Sequence, residues 1–119
     1  MQNIARGFLV GVSVLLSASG ASALEDQFNR PTYKAQGQVR LDNCEHFGSA
    51  CGQPAADHYC RLQGYERATN FETVRASPTK VIFGRECNGS FCVAFKLIAC
   101  FTSAQQPGPK RDWPVIIDQ

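Results

Sequence analysis

Hydrophobic and polar positions alternate most regularly between Phe91 and Phe101. Phe91, Val93, Phe95, Leu97 and Ala99 fall on one face of a period of two. Cys92, Ala94, Lys96, Ile98 and Cys100 fall on the other. The segment therefore predicts a strand whose first face walls the core. Its second face, half-buried, carries cysteines toward a neighbouring element. Residues 80–86 predict a partner strand, and Asn88-Gly89 between the two favours a type I′ hairpin turn. Upstream the period changes. Ala56, Tyr59, Cys60 and Gln63 recur at helical spacing, which predicts a helix over residues 53–63. Pro54 suits its first turn, where a missing N–H costs nothing. Gly64 stands where a glycine ends a helix, and Tyr65 can fold back onto the last turn. Tyr59 and Cys60 then point inward, with Asp57, His58 and Arg61 nearer solvent.

Weaker patterns fill the remainder. Residues 68–76 place Phe71 and Val74 among charged neighbours and predict an edge strand. Ser77-Pro78-Thr79 is a turn, and residues 38–41 begin a strand. Residues 42–52, with two cysteines and two glycines, form a disulfide-pinned loop. Residues 24–37 are polar, contain proline and show no period, so they predict an extended arm. Residues 102–112 carry Pro107-Gly108-Pro109 and form a loop. Residues 113–117 are apolar again: a last edge strand, or a tail packing Trp113 on the domain. No repeat or boundary interrupts residues 38–119. The expected fold class is α+β: a small disulfide-stapled domain, one helix packed on a small antiparallel sheet.

Residues 1–23 read as a cleavable export signal. Arg6 is the only charge, Phe8 to Leu16 form an apolar run, and Ala21-Ser22-Ala23 gives the small-x-small cleavage pattern. Ser17, Ser19 and Gly20 end the run well short of the roughly 20 apolar residues of a membrane span. The expected location is secreted or periplasmic, with no membrane association beyond export.

Six cysteines, Cys44, Cys51, Cys60, Cys87, Cys92 and Cys100, all follow this segment. An even count in a short exported chain reads as a disulfide framework, and no C-x-x-C occurs to suggest zinc. Sequence does not choose among the pairings. The reading prefers Cys60–Cys100, joining helix to strand, with Cys44–Cys51 and Cys87–Cys92 closing local loops. A domain this size buries a modest core, so bridges worth roughly 2–4 kcal/mol each are a condition of folding.

The formal net charge is +2, with basic and acidic residues interspersed. Neither a basic stripe for nucleic acid nor a polybasic segment for anionic lipid appears. His46 and His58 are the only histidines, with Glu45 and Asp57 beside them. Adjacent helical residues do not face each other, so Asp57 and His58 form no preset pair. His46 approaches His58 only if the cysteine-bounded loop packs on the helix. A small secreted hydrolase, ribonuclease-like, would draw an acid, a base and a phosphate-binding cation from His46, His58, Glu72 and Arg75. No G-x-S-x-G and no phosphate-cradling glycine loop is present. Asn88-Gly89-Ser90 matches the N-glycosylation acceptor and equally a hairpin turn. Tyr33, Phe47, Tyr65 and Trp113 lie in or beside loops and are the expected binding surface.

The segment from Ala56 through Asp57, Cys60, Arg61, Gly64 and Tyr65 to Ala68 resembles the helix segment of scavenger receptor cysteine-rich domains. That family repeats alanine and aspartate before Cys-Arg, then Gly-Tyr, then alanine. Cys87-Asn88-Gly89 resembles its Cys-x-Gly. The family's Trp-Gly-Thr-Val-Cys strand before the helix is missing, and none of its ligand-binding residues maps here. The resemblance implies extracellular ligand binding without catalysis. Together these readings expect a non-catalytic binding or inhibitory module for a protein or carbohydrate ligand, without cofactor or metal. The small hydrolase is the alternative.

Overall fold

The computed structural model describes Gly11, residues 23–33 and residues 39–114. Residues 1–22, apart from Gly11, lie outside the described residues, as do 34–38 and 115–119. The expected export signal therefore falls almost wholly outside them, together with most of the expected C-terminal strand. Among the described residues, eight strands and one helix follow in chain order: β1 (Leu24–Asn29), β2 (Arg40–Leu41), β3 (Cys44–His46), β4 (Ser49–Cys51), α1 (Gln53–Leu62), β5 (Arg67–Arg75), β6 (Thr79–Lys80), β7 (Glu86–Cys87) and β8 (Val93–Thr102). The fold is α+β, one helix with small sheets and three disulfides.

The main sheet has the order β1-β8-β5, antiparallel throughout. Residues 24–29, expected as part of an aperiodic arm, form its first strand. Leu24, Asp26 and Phe28 are half-buried, and Glu25, Gln27 and Asn29 are exposed. The alternation is real but hidden, because a carboxylate occupies the middle inward slot. Its partner is the Tyr65 hydroxyl, which donates to Asp26 Oδ2. Burial and that bond push the Tyr65 phenol up to about 12.

The strand β8 is central, and its core face differs from the expected one. Phe95, Ile98 and Cys100 are fully buried, whereas Phe91 is 64% exposed. The register against β5 slips between Thr73↔Phe95 and Glu72↔Leu97, leaving Lys96 unopposed. One extra residue inverts which face each later side chain takes. Phe95 before the slip and Ile98 after it therefore share the core side.

A second correction concerns residues 80–86. Only Thr79–Lys80 and Glu86–Cys87 pair, and they do so around a turn at residues 82–84. Val81 and Ile82 are both buried, so this stretch does not alternate. The reversal is held by the Gly84 N–H on the Val81 carbonyl at 2.7 Å. The strands β7 and β8 belong to different sheets, and Asn88-Gly89 makes no hairpin between them. The small sheet β2-β6-β7 pairs β2 with β6 in parallel, and β3 pairs with β4 as a hairpin.

The helix α1 buries Ala55, Ala56, Tyr59, Cys60 and Leu62 against the sheet. Its end follows the sequence signal. The Tyr65 N–H returns to the Cys60 carbonyl at 2.9 Å and the Gly64 N–H to Arg61 at 3.0 Å, a Schellman closure. Gly64 has φ +93, and a methyl there would overlap the carbonyl of Gly108. The Gly108 N–H in turn donates to the Gly64 carbonyl at 2.8 Å, so the late loop is laced to the helix end. Cys60–Cys100 crosses the core from helix to sheet, as the reading preferred, and both sulfurs are inaccessible.

Candidate functional site

The other two disulfides, Cys44–Cys51 and Cys87–Cys92, shape the surface. Cys44 and Cys51 lie directly opposite in the β3/β4 pair, so their bridge locks a hairpin whose tip is Phe47-Gly48. Gly48 supplies the left-handed φ of +77 that turns this tip. The second bridge closes the short loop carrying Phe91. There the Gly89 N–H is held by Ser77 Oγ at 3.0 Å. A side chain on Gly89 would reach the Phe91 ring at 2.6 Å, so the glycine makes room for that ring.

Phe47 and Phe91 line one groove of about 160 Å³, with Cys44, Cys87, Cys92 and Val93 completing its apolar wall. Asp42 and Asn43 are the polar residues in it. Asp42 is fully engaged: Oδ1 accepts from the Cys44 N–H at 3.0 Å and Oδ2 from Thr79 Oγ1 at 2.5 Å. Burial raises its carboxyl above the ordinary aspartate range, against the pull of those two bonds. Phe47 is 47% exposed and Phe91 64%, and with Val74 they are the exposed large hydrophobic residues among the described ones. Each ring has a guanidinium nearby. Arg85 lies over the Phe47 ring at 5.3 Å, and Arg75 Nη1 donates to the carbonyl of Ser90, next to Phe91, at 3.4 Å.

The other expected surface aromatics are placed differently. Tyr33 and Tyr65 are buried, and Trp113 is half-buried. Trp113 packs edge-on against Tyr33 at 4.9 Å and Tyr59 at 6.2 Å, so residue 113 is a tail packed on the domain. Tyr65 can bury its ring because its hydroxyl donates to Asp26, and Tyr33 is covered by Trp113 and Lys80. Of the four, only Phe47 stands open. Phe91, read as core, is the residue the sequence pattern missed. Its signal was the five-residue spacing of Cys87 and Cys92, too short to leave Phe91 inside a regular strand once bridged.

The histidines meet. His46 stacks on the Phe83 ring at 4.2 Å, and His58 meets the same ring edge-on at 5.8 Å. His58 Nδ1 lies 3.4 Å from Glu45 Oε1. Burial sets the His58 pKa below its ordinary value, with Arg61 and His46 adding repulsion and Glu45 opposing. Glu72 and Arg75 do not join them. Glu72 faces Lys96 at 3.9 Å on the exposed sheet surface, and Arg75, at the end of β5, donates to the Ser90 carbonyl of the Phe91 loop. Neither histidine lines the Phe47–Phe91 groove. Neither lines the concavity of about 520 Å³ bordered by Gln27, Arg30 and Trp113, nor the small one beside Lys110. Among the described residues, no group of three or more His, Cys, Asp or Glu is placed to hold a metal ion. No helix among them is long and apolar enough to cross a membrane.

Compared with protein-family models, curated proteins and solved structures, the chain matches none.

Proposed function

We propose that the protein is a non-catalytic binding module of the periplasm or the cell exterior, presenting the groove between Phe47 and Phe91. One observation carries this reading. The two most exposed aromatic rings among the described residues stand on separate loops, each braced by its own disulfide, and line the same cleft. Exposed apolar groups gathered in one place mark contact surfaces. Loops already fixed lose little conformational freedom on association. Three disulfides suit an oxidising compartment, and the leader-like residues 1–23 point to export. The resemblance of residues 56–68 to scavenger receptor cysteine-rich helices favours ligand binding in the same direction.

The small ribonuclease-like hydrolase is the second reading, and the His58–Glu45 contact beside His46 is what favours it. An affinity matrix bearing the protein, incubated with the envelope and culture fluid of its own host, separates the two. The binding module retains a specific species that the Phe47→Ser/Phe91→Ser variant loses and the His46→Ala/His58→Ala variant keeps. The hydrolase reading requires cleavage of an RNA dinucleotide that disappears with the histidines and survives loss of the phenylalanines.

A further inference from the structure

We propose that the Phe47–Phe91 groove takes an acidic protein segment, one bulky apolar side chain between the rings and carboxylates reaching Arg85 and Arg75 on either side. This rests on the binding-module reading and narrows its ligand. The volume of about 160 Å³ is small for a drug-sized molecule and suits a single side chain. A sugar would need several converging hydrogen-bonding groups. The groove has two polar residues, and both Asp42 oxygens are already used. What remains is mostly apolar wall, with Arg85 beside the Phe47 ring and Arg75 beside the loop of Phe91 outside it.

Arg85 lies over the Phe47 ring, and Arg75 is tied to the backbone of the loop that bears Phe91, so a guanidinium stands near each of the two braced loops. A planar guanidinium receives a carboxylate in bidentate fashion, so acidic flanks fit this frame better than basic ones. Among the described residues neither arginine is paired with a carboxylate: Glu45 faces His58 and Glu72 faces Lys96. Glu86 keeps its charge beside Arg85 but is bonded to Asn88 Nδ2 at 3.0 Å, and Asp42 is buried.

The test uses the isotopically labelled protein, purified from an oxidising compartment, and three hexapeptide probes. Each probe has a central Phe-Leu pair, flanked by Asp and Glu, by Ser and Gly, or by Lys. The expected result is perturbation of the backbone amides of Phe47, Cys92 and Val93, with the acidic probe about tenfold tighter than the basic one, as two exposed ion pairs allow. Raising salt narrows that gap. The Arg75→Gln/Arg85→Gln variant, altered only at exposed side chains, should lose the discrimination and keep the neutral probe. Equal affinity for all three probes overturns the charge assignment and leaves the groove as a binding site. No perturbation at the groove by any probe overturns both. Sedimentation showing a dimer that Phe91→Ser dissolves would make a second copy the occupant and also overturn the proposal.

Discussion

Asp42 shows how one side chain holds several elements in place. It ties the start of β3 to Thr79 in β6 and sits in the wall of the groove. Asp42→Ala leaves two buried donors without acceptors, at a cost of about 1–3 kcal/mol in chemical denaturation. Asp42→Asn keeps an acceptor for Cys44 and should cost clearly less. Because burial raises the Asp42 pKa, the folded chain takes up that proton at a higher pH than the unfolded chain. Its contribution is whole below the ordinary aspartate value and is lost as pH rises through the raised folded one. The wild type should therefore lose ground to Asp42→Asn along that climb. His58 works in the opposite sense. Its pKa is lowered, chiefly by burial, so the unfolded chain binds the proton first as pH falls. That stability is complete above about pH 6.5 and declines below it. Melting temperatures measured between pH 7.5 and 5 should fall less steeply for His58→Gln than for the wild type.

At the scale of elements, the helix was readable because its signals are local: Pro54 at the start, a repeat of apolar positions, and Gly64 with Tyr65 at the stop. Gly64→Ala meets both the left-handed φ and the Gly108 backbone. It should cost more than the ~1 kcal/mol of an ordinary Gly-to-Ala conflict and release residues 103–112 to proteolysis. The strands were read less well, for identifiable reasons. The first strand hid behind Asp26, whose inward carboxylate looks polar until Tyr65 is found beside it. The central strand changed face at an unpaired Lys96, which no single-strand pattern can announce, since a bulge is a property of two strands. Phe91 was read as core for a separate reason: it lies before β8, in the loop closed by Cys87–Cys92, although its spacing continues the strand pattern. The groove therefore went unseen, although Phe47 on its other wall was picked out. The disulfide spacings were the better guide. Chain-entropy reasoning ranks them too: opening Cys60–Cys100, spanning 40 residues, should cost about 4 kcal/mol, and opening either local bridge about 2 kcal/mol. Paired Cys→Ala variants compared by denaturant unfolding check the order.

Across the whole molecule, the bridges differ in access as well as in span. Cys51 is exposed, while Cys60, Cys87, Cys92 and Cys100 are buried. Exchange with a dithiol needs access to sulfur. Limited reduction followed by alkylation and mass mapping should therefore label Cys44 and Cys51 first, with Phe47 freed while the core stays closed. The strand order carries a consequence for assembly. Leu24 pairs with Thr102 and Asn29 with Leu97, so the first strand of the main sheet waits for the last. A ribosome or a translocation channel delivers the N-terminal end early and leaves it without a neighbour until nearly everything else has emerged. The two short bridges can form meanwhile, from sulfurs only a few positions apart. Closure of the sheet thus waits for residues 97–102, and a chain halted before residue 97 would remain open along its whole leading edge.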